Sequence, residues 1–254
     1  MPARYPDLAG RAVFVSGGAS GIGAAFVRAF AEQGAKVAFV DIDDAAGRAL
    51  ADALGERVRF FHCDVRDIAA LRDAMVAAAA ALDTIRVLIN NAARDDRKPD
   101  ADVTPEYWDE MLAVNLRHHF FAAQAVAPGM ARAGGGAIIN MGSVSWMRGR
   151  PGLSAYTTSK AAIMGLTRTL ARALGGDGIR VNSIVPGAVP TERQKQWFTP
   201  EHEREFLALQ CLKVRVSEDD VARTALFLAS DEARAITGHG LLVDAGLAQT
   251  SVVS

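Results

Sequence analysis

A short apolar run, a glycine-rich turn and a helical pattern follow one another near the start of the chain. The run Ala12–Ser16 is bounded by turn residues and predicts a buried parallel strand. It continues into Gly17-Gly-Ala-Ser-Gly21-Ile-Gly23 and then into a helical pattern. Glycines let the backbone approach a pyrophosphate, and a helix N-terminus offers it free N–H groups. The arrangement predicts a phosphate-binding loop in an α/β fold. A tight structural turn is the alternative, because the spacing differs from G-x-G-x-x-G.

The second predicted strand, Lys36–Val40, ends at an acidic residue. Asp41 lies 18 residues beyond Gly23, where a carboxylate can accept hydrogen bonds from ribose hydroxyls and would repel a 2′-phosphate. Gly18 places no cation in the turn, and Arg48 is better placed to pair with acidic residues on the next helix. The pattern therefore favours NAD over NADP. The alternative is that Asp41 only caps the following helix.

The alternation of strands and helices continues along the chain. Apolar runs predict five more strands, and a helical pattern predicts one long helix from about Thr104 to Ala127. Because no linker or repeat interrupts the pattern, residues 1–254 are predicted to form one doubly wound α/β domain. The polar stretch at about 188–216 is expected to cover the substrate. The five further strands are Val58–His62, Arg86–Ile89, Ala137–Met141, Ile179–Val185 and Gly240–Val243.

The charge balance and the cysteines argue against several classes of protein. The 28 basic and 29 acidic residues nearly cancel, and no basic tract indicates a nucleic-acid-binding protein. The two cysteines form no disulfide framework and lack the spacing of metal ligands, so no metal is expected. The longest apolar run, Ala74–Leu82, is too short to cross a membrane, and the N-terminus does not resemble a signal peptide. We expect a cytoplasmic protein that binds neither membranes nor nucleic acids.

One helical pattern carries a phenol and a cation one turn apart. Tyr156 and Lys160 share a face of a helix that is predicted to continue to Leu174. A free phenol has a pKa near ~10, so acting as a base near neutral pH requires about 3–4 kcal/mol of stabilisation of the phenolate. A unit charge about 4 Å away in a partly solvated site supplies about that much. The pair is a candidate general base, although a solvated helix face is the better explanation when the pair is considered alone.

Asparagines mark two further positions. Asn90 and Asn91 follow the fourth predicted strand, at the edge of the sheet where open α/β folds bind ligands. They either cap the turn or line the cofactor site. Asn115 lies inside the predicted long helix, where a buried amide is unfavourable unless its polar atoms are satisfied. The adjacent His118 and His119 point in different directions on a helix, so we expect them to be packing or surface residues.

Together, these motifs resemble those of the short-chain dehydrogenase/reductase family over nearly the whole chain. The family implies a seven-stranded parallel sheet, usually in a tetramer, that binds NAD(P) and either oxidises alcohols or reduces carbonyl groups. Two departures are mild: Ser16 replaces the usual threonine before the first glycine, and Ala93 stands where glycine is common. The matching residues, in chain order, are Gly17-x-x-x-Gly21-x-Gly23, Asp64-Val65, Asn90-Asn91-Ala92, Asn115, Ser143, Tyr156-x-x-x-Lys160, Pro186-Gly187 and Thr191.

The resemblance implies a role for each matching residue. Tyr156 would be the catalytic base, Ser143 would orient the substrate oxygen, and Lys160 would lower the tyrosine pKa and hold the nicotinamide ribose. Asn115 would hold a water molecule in a proton relay from Lys160, which would explain its buried amide. Asp64 is expected to meet the adenine amino group. The residues expected to bind the cofactor are Gly17, Ser20, Gly21, Ile22, Gly23, Asp41, Asp64, Val65, Asn91, Tyr156, Lys160, Pro186, Gly187, Val189 and Thr191.

A narrower resemblance concerns the family members that oxidise free aldoses at C1 to lactones. It rests on four segments, at residues 90–97, 114–118, 142–146 and 210–213. It implies a homotetramer that uses NAD and acts on a sugar such as xylose, arabinose, galactose or fucose. The residues expected to contact the substrate are Ser143, Ser145, Trp146, Tyr156, Arg94 and Trp197.

Three side chains near the predicted substrate site leave its chemistry open. Trp146 offers a flat apolar face of the kind on which sugars stack, unless it only packs the loop. Arg148 and Arg150 depart from the corresponding segment of the sugar dehydrogenases and would favour a charged substrate if they point inward. The alternatives are a family member that acts on a 3-oxoacyl, ketone or polyol substrate, and a non-catalytic NAD-binding module. The intact residues of the predicted catalytic site argue against the module.

Overall fold

Seven strands form a parallel sheet in the part of the chain that the computed structural model describes, residues 3–192 and 199–248. They are β1 (Ala12–Ser16), β2 (Lys36–Asp41), β3 (Val58–His62), β4 (Ile85–Asn90), β5 (Gly136–Met141), β6 (Ile179–Pro186) and β7 (Gly240–Val243). Their order is β3-β2-β1-β4-β5-β6-β7, and every neighbouring pair is parallel. The predicted doubly wound, seven-stranded domain is confirmed.

Helices cover both faces of the sheet. In the described residues, no helix is both long enough and apolar enough to cross a membrane. The α-helices are α1 (Gly21–Glu32), α2 (Asp44–Leu54), α3 (Ile68–Leu82), α4 (Pro105–Leu112), α5 (His118–Arg132), α6 (Ser154–Leu174), α7 (Pro200–Leu209) and α8 (Glu218–Ala229).

The strands are buried on both sides, which explains why they read as continuous apolar runs. In β1, Val13 and Val15 face one side of the sheet and pack in a core that includes Phe26 of α1. Phe14 faces the other side and belongs to a second core that includes Leu71 of α3. Alternate residues of one strand therefore hold helices on opposite faces, and this fixes the sheet between two apolar layers.

The strand order reverses between β1 and β4. The chain moves outward from β1 to β3 on one side and from β4 to β7 on the other. The crossover connections on the two sides therefore diverge, and a crevice opens at the carboxyl ends of β1 and β4. In open α/β sheets, ligands bind in this crevice.

The long helix predicted from about Thr104 to Ala127 is wrong in two respects. A five-residue π-helical turn, Ala113–Arg117, separates α4 from α5. The helix also continues past Pro128 to Arg132, because a proline inside a helix removes one backbone hydrogen bond without always ending it. Neither feature follows from apolar spacing, which is similar on both sides of a π turn.

The turn into α1 generates a prediction about stability. A Cβ atom at Gly23 would lie 1.8 Å from the carbonyl oxygen of Gly17, so the turn must move to accept it. We expect Gly23→Ala to lower the free energy of unfolding by about 1–3 kcal/mol, the usual cost of overpacking. Gly165→Ala is the matched control, because a Cβ there meets no atom within 4 Å.

In the control variant, alanine is a better helix former than glycine, and we expect the free energy of unfolding to rise by about 0.5–1 kcal/mol. Urea unfolding followed by circular dichroism measures both variants. Equal stabilities for Gly23→Ala and the wild type would contradict the close packing of this turn.

Candidate active site

A long cleft runs along the carboxyl ends of the central strands. Its cavity volume is about 380 Å³, within the roughly 300–1,000 Å³ of small-molecule binding sites. We call it the cofactor cleft. All fifteen residues predicted to bind the cofactor line it: Gly17, Ser20, Gly21, Ile22, Gly23, Asp41, Asp64, Val65, Asn91, Tyr156, Lys160, Pro186, Gly187, Val189 and Thr191.

Hydrogen bonds from β4 hold the glycine turn in place. The side-chain amide of Asn91 donates to the carbonyl oxygens of Gly17 at 2.7 Å and of Ser16 at 3.1 Å. In return, the Ser16 hydroxyl oxygen accepts from the backbone N–H groups of Asn91 at 3.0 Å and Ala92 at 3.2 Å. Ser16, which replaces the usual threonine, thus keeps the hydroxyl that joins β1 to β4.

The turn also leaves open the space that a pyrophosphate would need. Gly17 and Gly21 have φ angles of +68° and +51°, which favour glycine. A Cβ atom at Gly21 would lie 3.2 Å from the methyl group of Thr191 across the cleft and would narrow it. The first N–H groups of α1 begin at this point, and a helix N-terminus attracts anions. The residues present therefore fit a dinucleotide cofactor.

The carboxylate of Asp41 supports the turn from β2. It accepts from the backbone N–H groups of Ala19 at 3.0 Å and Asp43 at 3.1 Å. The side chain of Asp43 caps α2, so the alternative that Asp41 is merely the cap of that helix is excluded. Arg48 binds Asp44 at 2.7 Å, as its position on the helix predicted. In the described residues, Arg48 is therefore paired outside the cofactor cleft.

An ion-pair network borders the cofactor cleft beyond β3. Arg66 contacts Asp64 at 2.6 Å and Glu110 at 2.7 Å, and its hydrogen bonds lower the pKa of Asp64. Arg94 contacts the same Glu110 at 2.6 Å and also Asp96. No local pattern predicted this network, because Glu110, which joins the two arginines, lies 44 residues from Arg66 and 16 from Arg94. Arg94, predicted to contact the substrate, lies in this network and lines the cofactor cleft.

Tyr156 and Lys160 lie on the first turns of α6, as predicted. The ammonium nitrogen of Lys160 donates to the carbonyl oxygen of Met141 at 2.7 Å, at the end of β5. It lies 5.7 Å from the centre of the Tyr156 ring. Lys160 is only 2 % exposed, and a buried cation acts on its neighbours more strongly than one in water. The solvated-face alternative for this pair is therefore excluded.

A second pocket, which we call the outer pocket, meets the cofactor cleft at two hydroxyl groups. Ser143 and Tyr156 line both spaces, together with Asp95 and Gly187. Ser143 follows β5, and its hydroxyl oxygen accepts from the backbone N–H of Ser145 at 3.2 Å. Ser145, predicted to contact the substrate, also lines the outer pocket. A substrate in the outer pocket would thus face both hydroxyls at the mouth of the cleft.

Trp146, a predicted substrate residue, is not brought to this junction in the described structure. Trp146 is not part of the lining of the outer pocket, and its indole nitrogen is buried in the loop. The arrangement favours the packing alternative over a stacking surface for a sugar. Trp197 lies outside the described residues. Arg148 and Arg150, whose direction the sequence left open, both line the outer pocket.

The side chain of Asn115 is buried and bonds the segment after β4. Its oxygen accepts from the backbone N–H of Arg94 at 2.8 Å, and its nitrogen donates to the Arg94 carbonyl at 2.9 Å. Both polar atoms of the buried amide therefore have partners, and the water relay at Asn115 stays a prediction. The bonds join the π turn to the segment after β4, and Val114 beside it lines the cofactor cleft.

The histidine pair is buried, so its packing interpretation is confirmed. His118 approaches the Ser16 hydroxyl at 3.2 Å, and burial together with the charge of Lys160 lowers its pKa to about 3. His119 is also fully buried, and its pKa is lowered mainly by burial. Both rings are therefore neutral near pH 7. Within residues 3–192 and 199–248, no group of three or more histidine, cysteine or acidic side chains is arranged to hold a metal.

Comparison with known proteins places this geometry in context. The profile of the family described as "Enoyl-(Acyl carrier protein) reductase" matches residues 17–248. A D-xylose 1-dehydrogenase from Caulobacter vibrioides is 50 % identical over 245 residues, which cover 95 % of this chain and 97 % of that protein. A protein from Rhizobium meliloti assigned as a galactose dehydrogenase is 49 % identical over 249 residues, 96 % of this chain and 97 % of that protein.

Solved structures agree with the fold over almost the whole chain. A blue fluorescent protein from a metagenomic library, in complex with NADPH, superposes with a TM-score of 0.86 at 35 % identity and covers 95 % of this chain and 99 % of its own. A short chain dehydrogenase/reductase family protein also gives 0.86 at 32 % identity, with coverage of 96 % and 100 %. With these relatives, the chain belongs to the short-chain dehydrogenase/reductase family and is an oxidoreductase that uses a nicotinamide cofactor.

Proposed function

We propose that this protein oxidises an aldose at C1 to the aldonolactone, with NAD as the hydride acceptor. The observation that carries the proposal is the junction at which the hydroxyls of Ser143 and Tyr156 face both the cofactor cleft and the outer pocket. The two relatives near 50 % identity are named for xylose and galactose, and this supports an aldose as the small-molecule substrate.

In this proposal, Tyr156 removes the proton of the C1 hydroxyl. The phenolate form required for this step is favoured by the buried ammonium of Lys160, which the Met141 carbonyl holds near the ring. Burial makes the ammonium itself harder to keep charged, and its hydrogen bond to that carbonyl offsets part of this cost. Lys160 thus tunes the base without contacting the carbon that reacts.

Ser143 orients the oxygen from which the proton leaves. Its hydroxyl is fixed by the N–H of Ser145, so it can present its own proton to the substrate oxygen. Bound NAD would supply the hydride acceptor. The C1–H bond breaks with its electron pair, the O–H proton passes to Tyr156, and the C1–O single bond becomes the lactone carbonyl.

The choice of NAD rests on Asp41. Its carboxylate is held by two backbone N–H groups at the end of β2 and still has acceptor sites for ribose hydroxyls. A 2′-phosphate at this position would meet a negative charge, and the nearby Arg48 is engaged by Asp44. The adenine amino group would meet Asp64, beside Arg66.

We assign the proton relay near Asn115 to its backbone. Both polar atoms of the side chain bond Arg94, whereas a π turn displaces carbonyl groups from regular helical pairing. The segment 188–216 would cover the substrate, since Phe206 of α7 lines the outer pocket. The homotetramer remains a prediction from the family resemblance, and the cytoplasmic location remains a prediction from the cysteines and the apolar pattern of the sequence.

A panel of substrates tests the proposal. Purified protein mixed with NAD and xylose, arabinose, galactose or fucose should produce NADH absorbance at 340 nm. Polyols, a steroid alcohol and 3-oxoacyl thioesters are the comparison substrates. Turnover of one of these, with none of any aldose, would contradict the sugar assignment and leave the family intact.

The role of Tyr156 is tested by removing one oxygen. Tyr156→Phe should lower kcat by about 10²–10⁴-fold, the range for a lost general base, while the Kd for NADH changes less than about threefold. Tyr107→Phe is the matched control, because the Tyr107 hydroxyl donates to the Asp96 carbonyl and does not line the cleft. Steady-state rates and NADH fluorescence titration separate the two effects. Full activity in Tyr156→Phe would show that the base lies elsewhere.

The preference for NAD is tested by a change of charge alone. Asp41→Asn keeps an oxygen that can accept from the Ala19 N–H but removes the negative charge. We expect the ratio of kcat/KM for NAD to that for NADP to fall about tenfold or more, since the repulsion of the 2′-phosphate is lost. Asp52→Asn on the exposed side of α2 is the control. An unchanged ratio in Asp41→Asn would move the discrimination to another residue.

A further inference from the structure

Three arginines from two loops converge on the outer pocket. Arg148 and Arg150 come from the loop before α6, and Arg97 comes from the segment after β4. The pocket also contains one carboxylate, that of Asp95. Among the described residues that line the pocket, positive charges therefore outnumber negative charges by three to one.

Two of these guanidinium groups are held in fixed positions. Arg148 donates through Nη1 to the carbonyl oxygen of Leu247 at 2.9 Å. The guanidinium carbon of Arg150 lies 5.6 Å from the centre of the Phe206 ring, within range of a cation–π contact. A guanidinium has five N–H donors, and these contacts leave most of them for another acceptor. Each guanidinium thus keeps one contact within the protein and has further donors for a bound ligand.

Arg148 and Arg150 differ from the paired arginines described above. Arg66 and Arg94 each contact carboxylates within 2.7 Å. Within the described residues, neither Arg148 nor Arg150 forms a salt bridge. Burial, together with the charges of Arg97 and Arg148, lowers the pKa of Arg150. Asp95 acts in the opposite direction on Arg150, and because arginine stays charged at physiological pH, Arg148 and Arg150 present positive charge to a ligand in the pocket.

The cluster is on the substrate side of the catalytic hydroxyls. The cofactor phosphates are expected at the glycine turn and the ribose at Asp41, and neither Gly21 nor Asp41 lines the outer pocket. The pocket instead includes Ser143 and Tyr156, has a cavity volume of about 70 Å³, and shares these two residues with the cofactor cleft. An anion bound by the arginines would therefore belong to the molecule whose alcohol is oxidised.

We infer that the substrate is an aldose with an anionic group, a carboxylate or a phosphate, at the end remote from C1. The inference rests on the proposed function. Guanidinium groups match both oxyanions, because their N–H donors form paired hydrogen bonds to two oxygens. With C1 at Ser143 and Tyr156, the anion binds at Arg148 and Arg150. A hexuronic acid and an aldose phosphate are the two sources of this chemistry.

Three sugars of the same stereochemistry test the inference without any mutation. Galactose, galacturonate and galactose 6-phosphate differ only at C6, and the rate of NADH formation gives kcat/KM for each. We expect at least one anionic sugar to exceed galactose by about tenfold or more, mainly through KM. The KM for that sugar should also rise with ionic strength, whereas the KM for galactose should not. The better of the two anions distinguishes carboxylate from phosphate recognition.

Charge-neutral variants locate the anion site. Arg148→Gln and Arg150→Gln should lower kcat/KM for the preferred anionic sugar by about ten- to a hundredfold, a larger factor than for galactose. Arg204→Gln is the matched control, because Arg204 pairs with Glu201 on α7 and does not line the outer pocket. Arg150→Lys should recover part of the loss, since the charge remains.

The outcomes separate this inference from the proposed function. If galactose and other neutral aldoses are oxidised as efficiently as the anionic sugars, only the anion site is contradicted. The same holds if the glutamine variants lower both rates equally. If no aldose is oxidised, neutral or anionic, the proposed function itself is wrong.

Discussion

The hydrogen bonds of Asn91 to the backbone of the glycine turn are the constraint on which the site depends. They join the end of β4 to the end of β1 at the place where the strand order reverses. Ser16 returns two hydrogen bonds, so neither strand end can shift without breaking both sets. With the turn fixed, Gly23 packs against Gly17 so closely that no side chain fits between them. The crevice that receives the cofactor is therefore held open by polar contacts within an otherwise apolar sheet.

Most of the fold could be predicted from the sequence because each strand is buried on both faces. Burial on both faces produces continuous apolar runs, and the seven predicted strands differ from the observed ones by one residue at most at either end. The π turn around Asn115 was not predicted, because it depends on contacts far from it in the chain. The side-chain amide of Asn115 is hydrogen-bonded to the backbone of Arg94, 21 residues earlier. The spacing of apolar residues does not predict that contact.

The residues of the site also fall into two groups, those that the sequence predicted and those that it did not. Residues in contiguous motifs, such as those of the glycine turn and the Tyr156–Lys160 pair, were predicted together and line one cleft. The ion pairs of Arg66 and Arg94 with Glu110 could not be predicted, since no local pattern shows which charges meet. The orientation of the Trp146 side chain could not be predicted either, because a single residue in an irregular loop follows no periodicity. A sequence predicts chemistry that is encoded locally, whereas the shape of a pocket depends on contacts between distant segments.

The distribution of charge along the two pockets gives each a separate selectivity. The end of the cofactor cleft near β2 and β3 carries the carboxylates of Asp41 and Asp64, whereas the outer pocket carries guanidinium groups. Under the two proposals made above, a 2′-phosphate on the cofactor ribose would be disfavoured at the first end, and an anionic substrate would be favoured at the second. Both effects act at a distance from Ser143 and Tyr156, so they alter binding without changing the reaction. The catalytic residues can thus be shared by family members with different substrates, since specificity resides in loops that the catalytic helix does not fix.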